Sequence, residues 1–339
     1  MLNNHTNPPT LMVRLASAVI DFAIFAILFF ISTYVIFDPI FTPGNDKSSK
    51  YYQEMMTQNE ALVYSGLFVK KDKNYVQLNN GTIDEYRTIV ENYYTTDKYF
   101  GSEWYIAKGG ERKPYTIEQY NSDILFIGQD ETIFEYDLTN DKIDKTKIGV
   151  YKSSLYIDKD NTKGLSEEGK EKIKTFYVNQ YRICFSNLFE DDFYKNASKY
   201  VRDQGTYQIV CGLALSTTIT YLLVPLINKK HYTLGRLCMR IGISNHHGFE
   251  PKTYQIAARF LPTLLLSLVP LITNDAFVIF PIWGGYLFLS MCTTIILAEK
   301  TSLPDLISFT RCIDLKTSTI YKDEYEMTRD EDELYNYWN

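Results

Sequence analysis

The stretch from Leu15 to Phe37, LASAVIDFAIFAILFFISTYVIF, constrains this chain most. It holds a single ionisable side chain, Asp21. At about 1.5 Å per residue it crosses an apolar slab of roughly 30 Å as one helix. No small-residue cleavage site follows, so the run reads as a retained span rather than a signal peptide. Arg14 lies seven residues before Asp21. Seven residues is nearly two turns, so both side chains leave one face, about 10 Å apart along the axis. Arg14 then sits at headgroup level, as a positive-inside anchor that reaches phosphate, and Asp21 lies inside the slab. A carboxylate facing lipid is costly, so Asp21 should face protein or water, in a hydrogen-bonded structural role or as a transport or proton-relay group.

Three further runs repeat the signal, at about 207–227, 253–273 and 276–298. The second carries Thr217, Thr218 and Thr220, which can bond back to their own helix. The third holds Pro262 and Pro270, and the fourth Pro281 and the pair Gly284-Gly285. Small residues admit close helix approach, so these last two spans are expected to form a tight hairpin turned by Asn274-Asp275. The chain is therefore expected to be an α-helical membrane protein with four transmembrane helices plus an α+β extracytoplasmic domain. Its parts are residues 1–37 (lead-in and first span), 38–204 (soluble domain), 205–298 (second to fourth spans) and 299–339 (an acidic tail ending in Asp330-Glu331-Asp332-Glu333).

The middle, polar and rich in tyrosine, shows helical patterns near 48–65, 83–94, 116–121 and 167–189. Strand-like alternation runs over 66–78, 122–136 and 148–157, with a turn at Lys71-Asp72-Lys73-Asn74. Its charges are interspersed and the whole chain carries −6, so no basic face for nucleic acid exists. Of five cysteines only Cys184 falls there, which excludes an internal disulfide in that region. Residues 45–200 contain no histidine, which argues against a triad hydrolase. Asp158-Lys159-Asp160-Asn161-Thr162 begins like a calcium loop, but Lys163 stands where the loop needs Gly, and Gly169 where it needs Glu, so a polar turn is expected. Tyr93, Tyr94, Tyr99, Tyr105, Tyr115 and Tyr120 read as half-buried core or as a ligand surface. No metal or cofactor is expected, since the adjacent His246-His247 lacks a third ligand.

Residues 228–259 are basic, with Lys229, Lys230, Arg236, Arg240, Lys252 and Arg259 against Glu250 alone. The positive-inside rule puts this connection in the cytoplasm. Leu234, Leu237, Cys238 and Ile241 share one helical face, giving either a short helix on the anionic leaflet or a plain tether. Both termini are then cytoplasmic, and residues 38–204 extracytoplasmic.

Three stretches in this order resemble the RDD family of bacterial membrane proteins. Arg14-Leu15-Ala16-Ser17-Ala18-Val19-Ile20-Asp21 is similar to its opening Arg and Asp. Thr233-Leu234-Gly235-Arg236 looks like its TPGK-type segment, and Leu303-Pro304-Asp305 through Arg311 resembles its closing segment, with Asp305 as second aspartate. Pro304 replaces a common His, and Phe309 a common Gly. The resemblance covers residues 12–37 and 205–315, leaving the middle domain as a large insertion. It implies either an accessory or regulatory role beside other membrane proteins or, alternatively, oligomeric cation/proton transport through Asp21. The accessory reading, non-enzymatic, is preferred because a minimal transporter needs no outer domain. Expected partners are the bilayer and a membrane protein or a second copy. Arg14 and Asp305, at one membrane level, are expected to pair.

Overall fold

The computed structural model describes residues 7–71, 74–126, 133–134, 150–158, 163–228, 231–273, 275–297 and 301–330. It divides into two compact units, one of Met1–Asp46 with Arg202–Asn339 and one of Lys47–Val201. Lys229, Lys230 and the acidic run after Asp330 lie outside the described residues.

Among the described residues four helices are long and apolar enough to cross a membrane: Leu11–Phe41, Asp192–Ile227, Thr253–Thr273 and Ala276–Ile296. The second begins well before its apolar run, because the polar segment at 199–204 is helical and continuous with it. Both proline-bearing ends of the first two spans carry a π turn, Ser32–Phe37 before Pro39 and Ile219–Leu223 before Pro225. A proline ring clashes with the carbonyl four residues back and lacks an N–H, and widening the preceding turn relieves both.

Polar side chains join the first two spans. Ser216 Oγ donates to its own Gly212 carbonyl at 2.6 Å and lies 3.0 Å from Ser32 Oγ. Gln208 Nε2 donates to the Thr33 carbonyl and to Asp38 Oδ1. A side chain on Gly212 would place Cβ 2.0 Å from Thr33 Oγ1, so the two backbones cross there. Phe25 stacks on Trp283 at 5.2 Å, with Leu213 and Ile279 alongside, which closes the first span onto the fourth. The Gly284-Gly285 pair does not mediate the third–fourth hairpin, because both positions face open space.

The basic connection is built structure rather than a tether. Thr233 caps a short helix, Leu234–Met239, that ends at Arg240 in the left-handed conformation (φ 55) and passes into strand β3, here Ile241–Asn245. The same sequence of elements follows the fourth span 69 residues later: Ser302, a short helix Leu303–Ser308, left-handed Phe309 (φ 53), then β4, here Thr310–Asp314. The span ends preceding them, Ile227 and Ile296, keep the same offset. β3 and β4 pair antiparallel about Ile243 and Cys312, which occupy equivalent places in the two copies. That register is the one a two-fold axis requires. The membrane unit is thus span, span, short helix and strand, twice over, with the 47–201 unit placed between the first two spans in sequence.

In the 47–201 unit, helices at Lys50–Tyr64, Ile83–Thr95 and Glu167–Glu190 surround a core in which Tyr93, Tyr99, Tyr105, Tyr177 and Tyr181 are each under 2% or at 2% exposure. Thr82 and Glu85 close a capping box at the second of these. The expected hairpin forms from Phe68–Lys71 and Asn74–Gln77, while Asp72 and Lys73 lie outside the described residues. The other two expected strands do not form over their described parts. Tyr120–Leu125 is helical, started by a Thr116–Gln119 capping box, and Ser153–Leu155 is a 3-10 turn. Among the described residues the isolated bridges Phe134–Tyr151 and Tyr156–Leu165 remain of them. Among its described residues the unit is mostly helical, with one two-stranded hairpin. Asp158 Oδ1 accepts from Lys163 N–H at 3.1 Å, and the rest of the calcium-like stretch, 159–162, lies outside the described residues.

Replacing Gly212 by Ala should lower the detergent-unfolding stability of the full chain by about 1–3 kcal/mol, as overpacking does; a titration with a denaturing detergent, followed by circular dichroism, measures it.

Candidate functional site

The two short helices bring the sequence-predicted residues together. Asp21, 6% exposed, projects from the first span onto the start of Leu234–Met239. Thr233 O–H donates to its Oδ2 at 2.7 Å, and Gly235 N–H donates to its Oδ1 at 2.8 Å. The Thr233 hydroxyl also accepts from Arg236 N–H. Gly235 is obligatory here, because a Cβ would lie 2.2 Å from the Ser17 carbonyl and 2.9 Å from the Asp21 carboxyl carbon. The Thr-Leu-Gly-Arg segment therefore has a physical reason. Its hydroxyl and its bare backbone are what a buried carboxylate can grip.

Asp305, on the short helix of the second copy, is fully buried. Its partner is Arg259 of the third span, not Arg14. Ser302 N–H and O–H both donate to its Oδ2, at 2.9 and 2.5 Å. Arg259 is 10% exposed and also donates to Thr310 Oγ1 at 2.8 Å. Its Nη2 lies 3.8 Å from Cys312 Sγ. Gln255 donates to the Ser308 and Phe309 carbonyls and ties the end of that short helix to the same span. Arg14 instead reaches the Cys312 carbonyl at 3.5 Å. The expected Arg14–Asp305 pair does not form, because Arg259 holds Asp305 and Arg14 reaches the paired strands β3 and β4 instead. Arg259, which the sequence counts among the basic residues of the connection, lies in the third span, Thr253–Thr273.

Burial alone would raise the Asp305 pKa. The guanidinium of Arg259, then that of Arg236, and the Ser302 hydrogen bonds outweigh it and hold the carboxyl below its usual range. Arg236, half-buried, is lowered by burial and by repulsion from Arg259. Arg240 is exposed at the helix end. Position 236 of the first copy and position 305 of the second are equivalent and carry opposite charges. Among the described residues no group of three metal-binding side chains converges, and His246 faces the Arg311 guanidinium, a cation that repels a metal ion.

The 47–201 unit holds a cleft of about 1310 Å³, walled by Tyr94, Phe100, Tyr115 and Phe176, with Arg112 and Asn187 among its polar lining. Arg112 Nε lies 3.5 Å from Asp191 Oδ1, and Tyr99 O–H lies 3.4 Å from its Oδ2. Burial raises the Asp191 pKa against the pull of Arg112. Burial also pushes the Cys184 thiol up to about 12, so it is a packed, unreactive side chain. Of the six tyrosines, Tyr93, Tyr99, Tyr105 and Tyr120 are core, whereas Tyr94 and Tyr115 also line the cleft.

The RDD family model matches residues 175–308. The match takes in Thr233–Arg236, Arg259 and Asp305 and leaves out Arg14 and Asp21. It and the four apolar helices indicate a multi-pass membrane protein. No curated protein and no solved structure matches the chain.

Asp305→Asn strands the Arg259 charge and should cost about 3–5 kcal/mol. A double cycle with Arg259→Gln should be strongly non-additive, and one with Arg14→Gln additive. Because the folded pKa of Asp305 is depressed, its contribution is present in full above the usual carboxylate range and is lost as pH falls through the folded value. The stability gap between parent and Asp305→Asn should therefore be flat from about pH 5 to 8 and narrow only in stronger acid.

Proposed function

We propose that this protein is a non-enzymatic accessory, binding or regulatory component of a membrane complex, and that residues 47–201 form its extracytoplasmic recognition domain. The cleft carries this reading. It is large enough for a ligand or a partner segment, and its aromatic walls and exposed amides suit a polar organic surface. The membrane unit supports it from the other side. Both oxygens of Asp21 and both of Asp305 already hold donors from the protein, which suits an anchor more than a shuttle. With the basic connection in the cytoplasm, both termini are cytoplasmic.

A second reading, an oligomeric cation/proton transporter, draws on three buried hydroxyls without a partner, Thr33, Thr217 and Thr220, between the first two spans. It requires Asp21 to leave Thr233 and Gly235.

Purification of the full chain from its native membrane in mild detergent should yield a stoichiometric second protein. Asn179→Arg, at an exposed cleft position, should abolish that association without changing thermal stability. A homo-oligomer alone, with reconstituted proton or cation flux that Asp21→Asn removes at intact fold, would overturn the reading in favour of transport.

A further inference from the structure

The two short helices bury equivalent positions and expose equivalent positions. Gly235 and Arg236 turn inward as Pro304 and Asp305 do, while Leu237 (51% exposed) and Cys238 point away, as do Leu306 (43%) and Ile307 (44%). Arg240 and Phe309, at the left-handed positions, are both exposed, Phe309 at 74%. Each helix therefore presents an apolar outer face that no other described residue covers.

The depth of these faces follows from their anchors. Leu234–Met239 is held by Asp21, seven residues into the first span beyond Arg14. Leu303–Ser308 is held by Arg259, six residues into the third span beyond Thr253. Both anchors lie about 9–10 Å along their spans from the polar end. At that level the spans themselves are apolar outward, with Val19 at 60%, Phe22 at 57% and Leu261 at 50% exposure. The outer faces of the short helices are thus continuous with the lipid-facing surface of the spans. The paired strands β3 and β4 follow them and meet the first span at Arg14.

We propose that Leu234–Met239 and Leu303–Ser308 are a pair of feet seated in the bilayer at the boundary between headgroups and acyl chains, related by the same two-fold axis as β3 and β4. The occupant of their apolar faces is lipid. The axis runs along the membrane normal, so the two feet lie at equal depth. A helix of six residues is too short to hold itself at an interface, and its burial in lipid depends on the buried side that Asp21 or Arg259 fastens.

The test uses the full chain in phosphatidylcholine vesicles, with Leu237→Trp, Leu306→Trp and, as a control on the turn beyond β4, Lys316→Trp, each read as emission added to the parent. All three positions are exposed, so the fold should tolerate them. Emission from the two leucine positions should be blue-shifted, quenched by lipid brominated near the headgroup end of the chain, and insensitive to iodide. The two should respond alike, and the Lys316 position should show the reverse. Quenching of either leucine position by iodide and not by brominated lipid would place that face in water and overturn the proposal. Protection of both positions from both quenchers would overturn it in favour of a protein partner or second copy.

Discussion

The membrane unit depends on carboxylates taken out of water and handed to the backbone and side chains of two short helices. Asp21 cannot face lipid, and the donors that relieve it are a hydroxyl and a backbone N–H from a segment more than two hundred residues away. That segment can approach only because position 235 has no side chain. One buried charge thus fixes where the short helix sits, and with it the strand that follows. The arrangement is costly to build and costly to break, so it specifies a single geometry for spans that otherwise pack through apolar surface alone.

The two-fold repeat gives this chemistry its form. Each copy fastens its short helix to a preceding span through a charged side chain, Asp21 in one and Arg259 in the other. Each short helix carries the opposite kind of charge at its third position, Arg236 in one and Asp305 in the other. Swapping signs between copies brings two acids and two bases into one cluster. Arg259 and Arg236 together lower the pKa of Asp305 although its burial is complete. The β3–β4 register then closes the copies on each other about Ile243 and Cys312.

The 47–201 unit follows a different logic. Its tyrosines fill a core whose hydroxyls find partners at the edge, as Tyr181 O–H does with the Leu67 carbonyl at 2.7 Å. Its helices were legible from spacing and caps, Ile83–Thr95 and Glu167–Glu190 to within a residue or two. Of its strands, the pair within 66–78 was legible too, and the other two were not. The alternation at 122–125 is short enough to suit either period, and the Thr116–Gln119 capping box decided for helix. The cleft had no sequence signal, because its lining comes from segments far apart in the chain.

Sequence alone determined the spans, since the cost of burying a polar backbone in lipid leaves a helix of about twenty apolar residues as the only solution. It also marked Arg14, Asp21, Arg236 and Asp305 as residues needing an explanation. Only the tertiary structure decided who partners whom. The Arg14–Asp305 pairing was reasonable from membrane level, yet Asp305 pairs with Arg259 of the third span and Arg14 reaches the Cys312 carbonyl. The repeat was hidden for a similar reason. Its two copies share Leu234 with Leu303 and Leu237 with Leu306 but differ at most other positions, including the sign of the charge. A backbone two-fold needs equal caps, equal lengths and equal left-handed turns, and side chains of very different chemistry can supply all three.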